Sequence, residues 1–424
     1  MSAAERGFMV RALRHRNYRL FFAGQSISLI GTWMTRIATS WLVYRLTGSA
    51  LLLGLVGFAG QIPSFLLAPI AGVLIDRWNR HRLLVATQVL ALLQSAALAA
   101  LALTGVINIW HVLLLSLVQG VINAFDMPAR QAFVVEMVEK REDLSNAIAL
   151  NSSMVNAARL LGPSIGGVVI AAVGEGWCFF GDAVSYLAVI ASLLLMRVAP
   201  RPARAAARGG VLQELRAGWA YVAGSPAIRS ILLLLAVVSL VGMPYTVLMP
   251  VIASTVLHGG PHTLGFLMAA TGVGALLGAV FLANRRSVLG LGRIIPAMAG
   301  LFGAGLIGFS LSRQLWLSLV LLLATGLGFM VQMAASNTLI QTLVDDDKRG
   351  RVMSFYTMAF MGTTPFGSLL AGALASRIGG PHTLLLSGAG CLIAALWFAT
   401  RLPGLRETVR PIYVQLGILP EVEG

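Results

Sequence analysis

The stretch GVLIDRWNRHR, Gly72 to Arg82, sets one aspartate and three arginines between two long apolar runs. The run before it, about 50–74, and the run after it, about 83–103, each have the roughly 20 apolar residues that a helix needs to cross a bilayer. A charged connector this short returns the chain to the membrane face it has just left. Working outward, apolar runs of helical length recur at about 20–43, 107–133, 145–173, 177–197, 227–254, 262–284, 291–311, 314–338, 350–374 and 382–401. Gly, Pro or charged residues mark the joints. The reading is an all-α polytopic membrane protein of about twelve transmembrane helices.

Composition agrees. Of the 424 residues, 57% are hydrophobic and 11% charged, against roughly 25% charged in an average soluble domain, and mean hydropathy is +0.83. The net charge of +15 would suggest nucleic acid as the partner of a soluble protein. Here the charges fall between apolar runs, so no nucleic-acid partner is expected. All but five of the 31 Lys and Arg lie at the N-terminus, in every second connector or at the C-terminus. Arg45, Arg313 and Arg377 lie in the other connectors, and Arg36 and Arg159 lie inside spans. The positive-inside rule then puts both termini on the cytoplasmic side of the membrane. The arginines before the first run resemble a signal peptide, but that run is too long and is read as a retained first helix. Cys178 and Cys391 lie far apart in apolar surroundings and read as packing residues.

The longest polar connector divides the chain into 1–198, a linker 199–226, 227–401 and a tail 402–424. The linker holds Arg201, Arg204, Arg208 and then VLQELRAGWAYVAGSP, which reads as an amphipathic surface helix; the tail reads as polar and mobile. Shifted by 206 residues, GVINAFDMPARQAFVVEMV from Gly120 overlies GLGFMVQMAASNTLIQTLV from Gly326, as in a parallel repeat. The hexapeptide GGPHTL occurs at Gly259 and again at Gly379. Both copies read as a turn with Pro at the start of a helix, leaving a binding role for His262 or His382 as the lesser alternative.

The connector from Gly72 resembles the signature of the major facilitator superfamily, with Gly72, Leu74, Asp76, Arg77, Arg80 and Arg82 matching in order. Asn79 stands where glycine is usual, and is expected to take the left-handed turn that Asn tolerates. On span five ARLLGPSIGG, with Gly162, Pro163, Gly166 and Gly167, resembles the superfamily's antiporter motif. GTWMTRIATSWLVYRLTGSALLLGLV, DMPARQAFVVEMV, LSNAIALNSSMVNAARLLGPSIGG and GDAVSYLAVI together resemble the branch of enterobactin-exporter-like and macrolide-efflux-like proteins, the transmembrane secretion effectors. That resemblance implies two pseudo-symmetric six-helix bundles in a bacterial inner membrane and export of a small molecule by alternating access, with substrate between the halves near the midplane. It implies that Gly72 permits a close helix approach and that Asp76 faces the helix beginning near Arg349. It also pairs Arg80 with Asp126 as a cytoplasmic latch. Gln119-Gly120 match the family's helix four, but Ser116 stands where proton-coupled members carry arginine, so coupling through that place is not implied.

A charge deep in a bilayer costs several kcal/mol and faces a cavity or a partner. Arg36, Arg159 and Asp182 count to a common depth of roughly 20–25 Å at 1.5 Å per residue. One of the arginines is expected to pair with Asp182, leaving the other for an anionic or oxygen-rich substrate such as a siderophore. The alternative is that Arg36 snorkels and all three charges only hold helices. Gln119, Asn156, Tyr245, Gln332 and Asn337 are further polar candidates in the spans, and Asp126 and Asp182 the candidate proton carriers. No metal cluster, cofactor motif or nucleotide loop appears, so ATP, cofactors and enzyme chemistry are not expected. A monomer is expected. Uptake or facilitated diffusion by the same fold is the alternative function.

Overall fold

The computed structural model describes residues 11–138, 140–198, 211–285, 287–345 and 348–415. The side chains of Asp76 and a few other helical residues lie outside the described set, as do Arg201, Arg204 and Arg208. Among the described residues there is no strand. Six long helices come first: α1 Arg16–Thr47, α2 Ala50–Arg77, α3 Arg80–Leu103, α4 Ile109–Met137, α5 Leu144–Val173 and α6 Glu175–Leu194. The linker forms α7, Val211–Gly224. Six more long helical segments follow: α8 Pro226–Val256, α9 Pro261–Ala283, α10 Leu291–Leu311, α11 Leu315–Leu343, α12 Arg349–Ile378 and α13 Gly380–Gln415.

Eleven of these, among the described residues, are long and apolar enough to cross a membrane. The twelfth, α1, has the length at 32 residues, but Gln25, Thr32, Thr35 and Arg36 dilute it. α8 and α12 are not regular: wide π turns interrupt them at Val238–Gly242, Ile252–Val256 and Met358–Gly362, the kind of irregularity that recurs at functional sites.

Capping explains why the connectors can be so short. Ser49 opens α2 by accepting the Leu52 amide at 3.3 Å. Asn108 opens α4 by accepting from Trp110 and His111, while the His111 ring accepts the Asn108 amide, which satisfies three orphan donors at once. Asn79 does the same for α3, accepting the Arg82 amide at 3.0 Å. Its φ of −69° is extended, not left-handed. Asn replaces glycine here because its side chain caps a helix. The GGPHTL copies do start helices, at Pro261 and at Gly380. The His382 ring is engaged with the Ile378 carbonyl at 2.8 Å. At the other end of α13 the helix runs on through Pro403 and Pro411 to Gln415, so much of the expected tail is helical.

Residue contacts divide the chain into two units, Met1–Ala207 with Met249–Ala269, and Arg208–Leu248 with Ala270–Gly424. In the first, α6 packs between α1 and α3, α4 against α2 and α3, and α5 along α1. In the second, α10 packs on α11 and α13, and α13 on α8, the counterparts of α3 on α4 and α6 and of α6 on α1. The residues matched by the 206-residue shift play one part. A Cβ on Gly120 would lie 2.8 Å from the Gly60 carbonyl of α2, and a Cβ on Gly326 would collide with the Thr271 carbonyl of α9. Each glycine lets two helices touch backbone to backbone. In the second unit α7 lies against the start of α12, with Trp219 6.0 Å from Phe355 and Lys348 over the Tyr221 ring.

One end of the first unit is closed by the turn Arg11–Arg14. His15 Nε2 meets Asp143 Oδ2 at 3.0 Å, Arg11 lies 3.6 Å from Asp143 Oδ1, and the buried Tyr18 hydroxyl donates to the Ala147 carbonyl at 2.7 Å. The hydrogen bond from His15, with help from the Arg11 charge, holds the Asp143 carboxyl below its ordinary range. A carboxyl depressed by folding stabilises above its unfolded pKa, and that contribution is lost as pH falls through the folded value. Acidification below the usual carboxylate range is therefore expected to loosen this turn. Hydrogen-exchange protection of Ala12–His15, corrected for the intrinsic pH dependence of amide exchange, is expected to fall at low pH in wild type and to be low at all pH values in Asp143→Asn.

Candidate functional site

Three polar clusters sit within the first unit, each made by a different face of the helices. The first surrounds Asp182 on α6, 2% exposed. Ser95 of α3 donates to its Oδ2 at 2.7 Å, and the hydroxyls of Thr32, Thr35 and Ser185 lie around it. Its Oδ1 has no hydrogen-bond partner, and neither has the buried Thr35 Oγ1. Gly31 allows the approach, since a Cβ there would be 2.8 Å from Asp182 Oδ1 and 2.7 Å from Ser185 Oγ. No arginine, lysine or histidine among the described residues forms an ion pair with this carboxylate.

The expected pairing of Asp182 with Arg36 or Arg159 is thus not present, and the geometry of α1 explains why. Gly24, Ser28 and Gly31 are buried on α1, and Gly24 and Gly31 face Ser192 and Asp182 of α6. Arg36 projects about 140° around the helix from Gly31 at 3.6 residues per turn. Equal depth is not equal azimuth.

The second cluster holds Asp126 of α4, also 2% exposed. It accepts from Thr87 Oγ1 at 3.0 Å and Gln88 Nε2 at 2.6 Å, and forms an ion pair with Arg130 one turn on. Arg80 instead donates to Glu136 at 2.7 Å. α3 and α4 are antiparallel, so Arg80 at the start of α3 is level with Glu136 near the end of α4. Asp126 lies ten residues, or about 15 Å, back along α4, level with Thr87 and Gln88. The latch between Arg80 and Asp126 implied by the family motif is replaced by these two separate contacts. Elsewhere in the motif, Arg77 and Arg82 are exposed, and the Leu74 carbonyl ends α2 by accepting the Trp78 amide at 2.9 Å. A Cβ on Gly72 would meet nothing within 4 Å, so the close approach of α2 and α4 rests on Gly120 and not on Gly72. The contact expected of Asp76 lies outside the described residues.

The third cluster is at the α1–α5 contact. A Cβ on Gly162 would collide with Trp33 and lie 3.0 Å from the Ile30 carbonyl, and one on Gly166 would lie 2.7 Å from Ile37 Cγ2. Gly167 turns the other way, a Cβ there reaching the Pro261 carbonyl at 2.8 Å and Gly265 Cα at 2.9 Å. Pro163 is buried between these faces. The motif thus serves two packing surfaces at once. Close packing brings Arg159, one turn before Gly162, beside Trp33: its guanidinium lies 5.6 Å from the ring centroid, and that of Arg36 4.6 Å from the same centroid.

The remaining candidates are satisfied more locally. Gln119 donates to Asn123 at 3.1 Å and Asn156 to the Ser152 carbonyl at 2.9 Å, both on their own helices. In the second unit, Tyr245 is buried edge-on to Phe302 at 6.0 Å. Gln332 is fully buried, donating to Ser336 at 3.4 Å with its Oε1 unpartnered, and Asn337 accepts from Gln341. Among the described residues no group of His, Cys, Asp and Glu is placed to hold a metal.

The model of the transmembrane secretion effector family matches residues 9–411. The chain belongs to that family, within the major facilitator superfamily. This secretion effector is 26% identical to the staphyloferrin A transporter of Staphylococcus aureus over 90% of its own length and 96% of that protein's. It is 28% identical to the multidrug efflux pump Tap of Mycolicibacterium fortuitum (89% and 93%) and 23% identical to macrolide efflux protein A of Streptococcus pyogenes (88% and 94%). Its fold is that of solved transporters: a bacterial homologue of the human lysosomal transporter Spinster has TM-score 0.67 at 15% identity, covering 96% of this chain and 99% of that one. The POT family transporter PepTSo has TM-score 0.70 at 12% identity, covering 93% and 99%. The protein is a multi-pass membrane transporter for small molecules, not an enzyme.

Sequence reasoning missed Ser95, Thr87, Gln88, Glu136 and Trp33 in this transporter. Trp33 alone carried a local signal, standing three residues before Arg36 on one helix face. The others are contributed across helices, and no spacing along the chain records them.

Proposed function

We propose that this secretion effector exports a small amphipathic molecule, a siderophore or a lipophilic drug such as a macrolide, by alternating access coupled to proton entry. Asp182 carries the reading. A carboxylate buried in an apolar span without a cation is costly unless it takes up a proton. The groups around Asp182 are hydroxyls, which donate to a carboxylate and accept from a carboxylic acid, so the pocket suits both states. Asp126 differs in having a counter-ion, Arg130, beside its hydrogen bonds from Thr87 and Gln88. In this assignment Asp182 takes the proton. The names of the relatives and the antiporter-like motif at Gly162–Gly167 support the outward direction.

The working protein is taken as a monomer with both termini cytoplasmic, made of six-helix bundles 1–198 and 227–401 joined by 199–226. Gln119, Asn156, Tyr245, Gln332 and Asn337 are the candidate hydrogen-bonding groups for substrate. Inside-out membrane vesicles acidified in the lumen test the direction and the coupling together. Adding a macrolide or an iron chelator that the protein carries is expected to release lumenal protons, detected by recovery of a quenched pH dye. Transport that proceeds unchanged after the proton gradient is collapsed would overturn the coupling; net movement of the compound into intact cells would overturn export.

A further inference from the structure

Two of the five basic residues outside the charged connectors, Arg36 and Arg159, come from different helices and converge on one indole ring. Two like charges brought this close to one ring repel each other, and in a span that repulsion opposes folding. Neither forms an ion pair with any described carboxylate, and the carboxylate that sequence depth offered them, Asp182, belongs to the hydroxyl pocket on the other side of α1. Arginines that served only to anchor helices would snorkel apart toward water. These are held together by Gly162, which draws α5 onto Trp33. By residue accessibility Arg36 is surface-exposed, and Arg159 and Trp33 are half-buried.

We propose that Arg36, Arg159 and Trp33 form an organic-anion site, taking a ligand that bears carboxylates on a flat or apolar body. Each guanidinium presents a fork of N–H donors that matches a carboxylate in two-point fashion. Trp33 holds both forks by cation–π contact and supplies an apolar surface for the body of the ligand. Binding neutralises two charges that no described carboxylate matches. The proposal deepens the export reading by naming the substrate class, and it rests on that reading only for what happens after binding.

The test uses full-length protein in lipid nanodiscs with isophthalate and its neutral isostere isophthalamide as probes, with no gradient present. Wild type is expected to bind isophthalate at least about tenfold more tightly than the diamide, as charge-assisted pairs are roughly twice as strong as neutral ones. Arg36→Gln and Arg159→Gln are each expected to erase most of that preference, while Arg36→Lys, which keeps the charge but loses the fork, retains part of it. Trp33→Phe is expected to remove the ligand-dependent change in tryptophan fluorescence. Equal affinity of wild type for the two probes, which needs no variant to fold, overturns the site, as does an unchanged preference in either glutamine variant. Anion binding in a protein that proves to move substrate inward would overturn export alone. Full-rate export of a neutral macrolide by both glutamine variants, with no anion preference in wild type, would overturn this inference alone.

Discussion

Asp182→Asn is expected to give a folded protein that exchanges substrate across the membrane but no longer pumps it uphill. Asparagine has the shape of the protonated acid, and its amide can still use the hydroxyls of Ser95, Thr32, Thr35 and Ser185. The structural cost of the change is therefore small. What is lost is the ability to release a proton, and with it the link between substrate movement and the gradient. Gradient-driven efflux is expected to fall by at least about tenfold, the scale on which removing a single proton-transfer group acts, while counterflow of labelled against unlabelled substrate persists. Asp126→Asn is expected to behave in the opposite way. It leaves the Arg130 guanidinium in the span without its carboxylate, and breaking a buried pair costs about 3–5 kcal/mol. That variant loses thermal stability and yield before it loses coupling in the molecules that remain folded. Parallel counterflow, gradient-driven efflux and melting of the two variants separate the roles. If Asp182→Asn pumps as wild type does, the assignment of the proton to Asp182 falls.

The second large effect is expected at Gly162. A valine there drives its Cβ into Trp33 and against the Ile30 carbonyl of α1. A helix backbone cannot give way like the end of a flexible side chain, so α1 and α5 must separate. Overpacking a close contact costs about 1–3 kcal/mol or more, and here the separation also withdraws Arg159 from Trp33. Gly162→Val is expected to lower the melting temperature of the purified protein by several degrees and to weaken anion binding with it. Gly181→Ala on α6 is the matched control, since a Cβ there would meet nothing within 4 Å, and is expected to melt as wild type. Equal melting of the two variants would mean that the glycine motif on α5 is not a packing device.

The membrane fold was readable because its causes are one-dimensional. Span length, apolar content and the placement of arginines are all recorded along the chain, and the helices begin where Ser49, Asn79 and Asn108 can cap them. The repeat was readable too, because Gly120 and Gly326 do the same job at corresponding places. α1 shows the limit of composition: its polar residues make it the least apolar of the long helices, with Thr32 and Thr35 beside Asp182 and Arg36 over Trp33. The charge pairings were not readable. Counting residues gives depth, and it placed Asp182, Arg36 and Arg159 near one level. It does not give the direction in which each side chain leaves its helix, which put α1 between the acid and the arginines. In the same way the motif position of Arg80 did not disclose the antiparallel register of α3 and α4, which gives Arg80 to Glu136 and Asp126 to Thr87, Gln88 and Arg130. Hydroxyl partners such as Ser95 leave no pattern at all, because a serine in a span is commonplace until a neighbouring helix brings a carboxylate to it.

Proton release on substrate binding addresses the account at its centre. Purified protein in a weakly buffered solution with a pH indicator is mixed with a transported substrate at a pH where Asp182 is protonated in the resting state. Wild type is expected to release protons into the medium as substrate binds, Asp126→Asn to do the same in its folded fraction, and Asp182→Asn to release none. Release of equal size from wild type and Asp182→Asn would contradict the account.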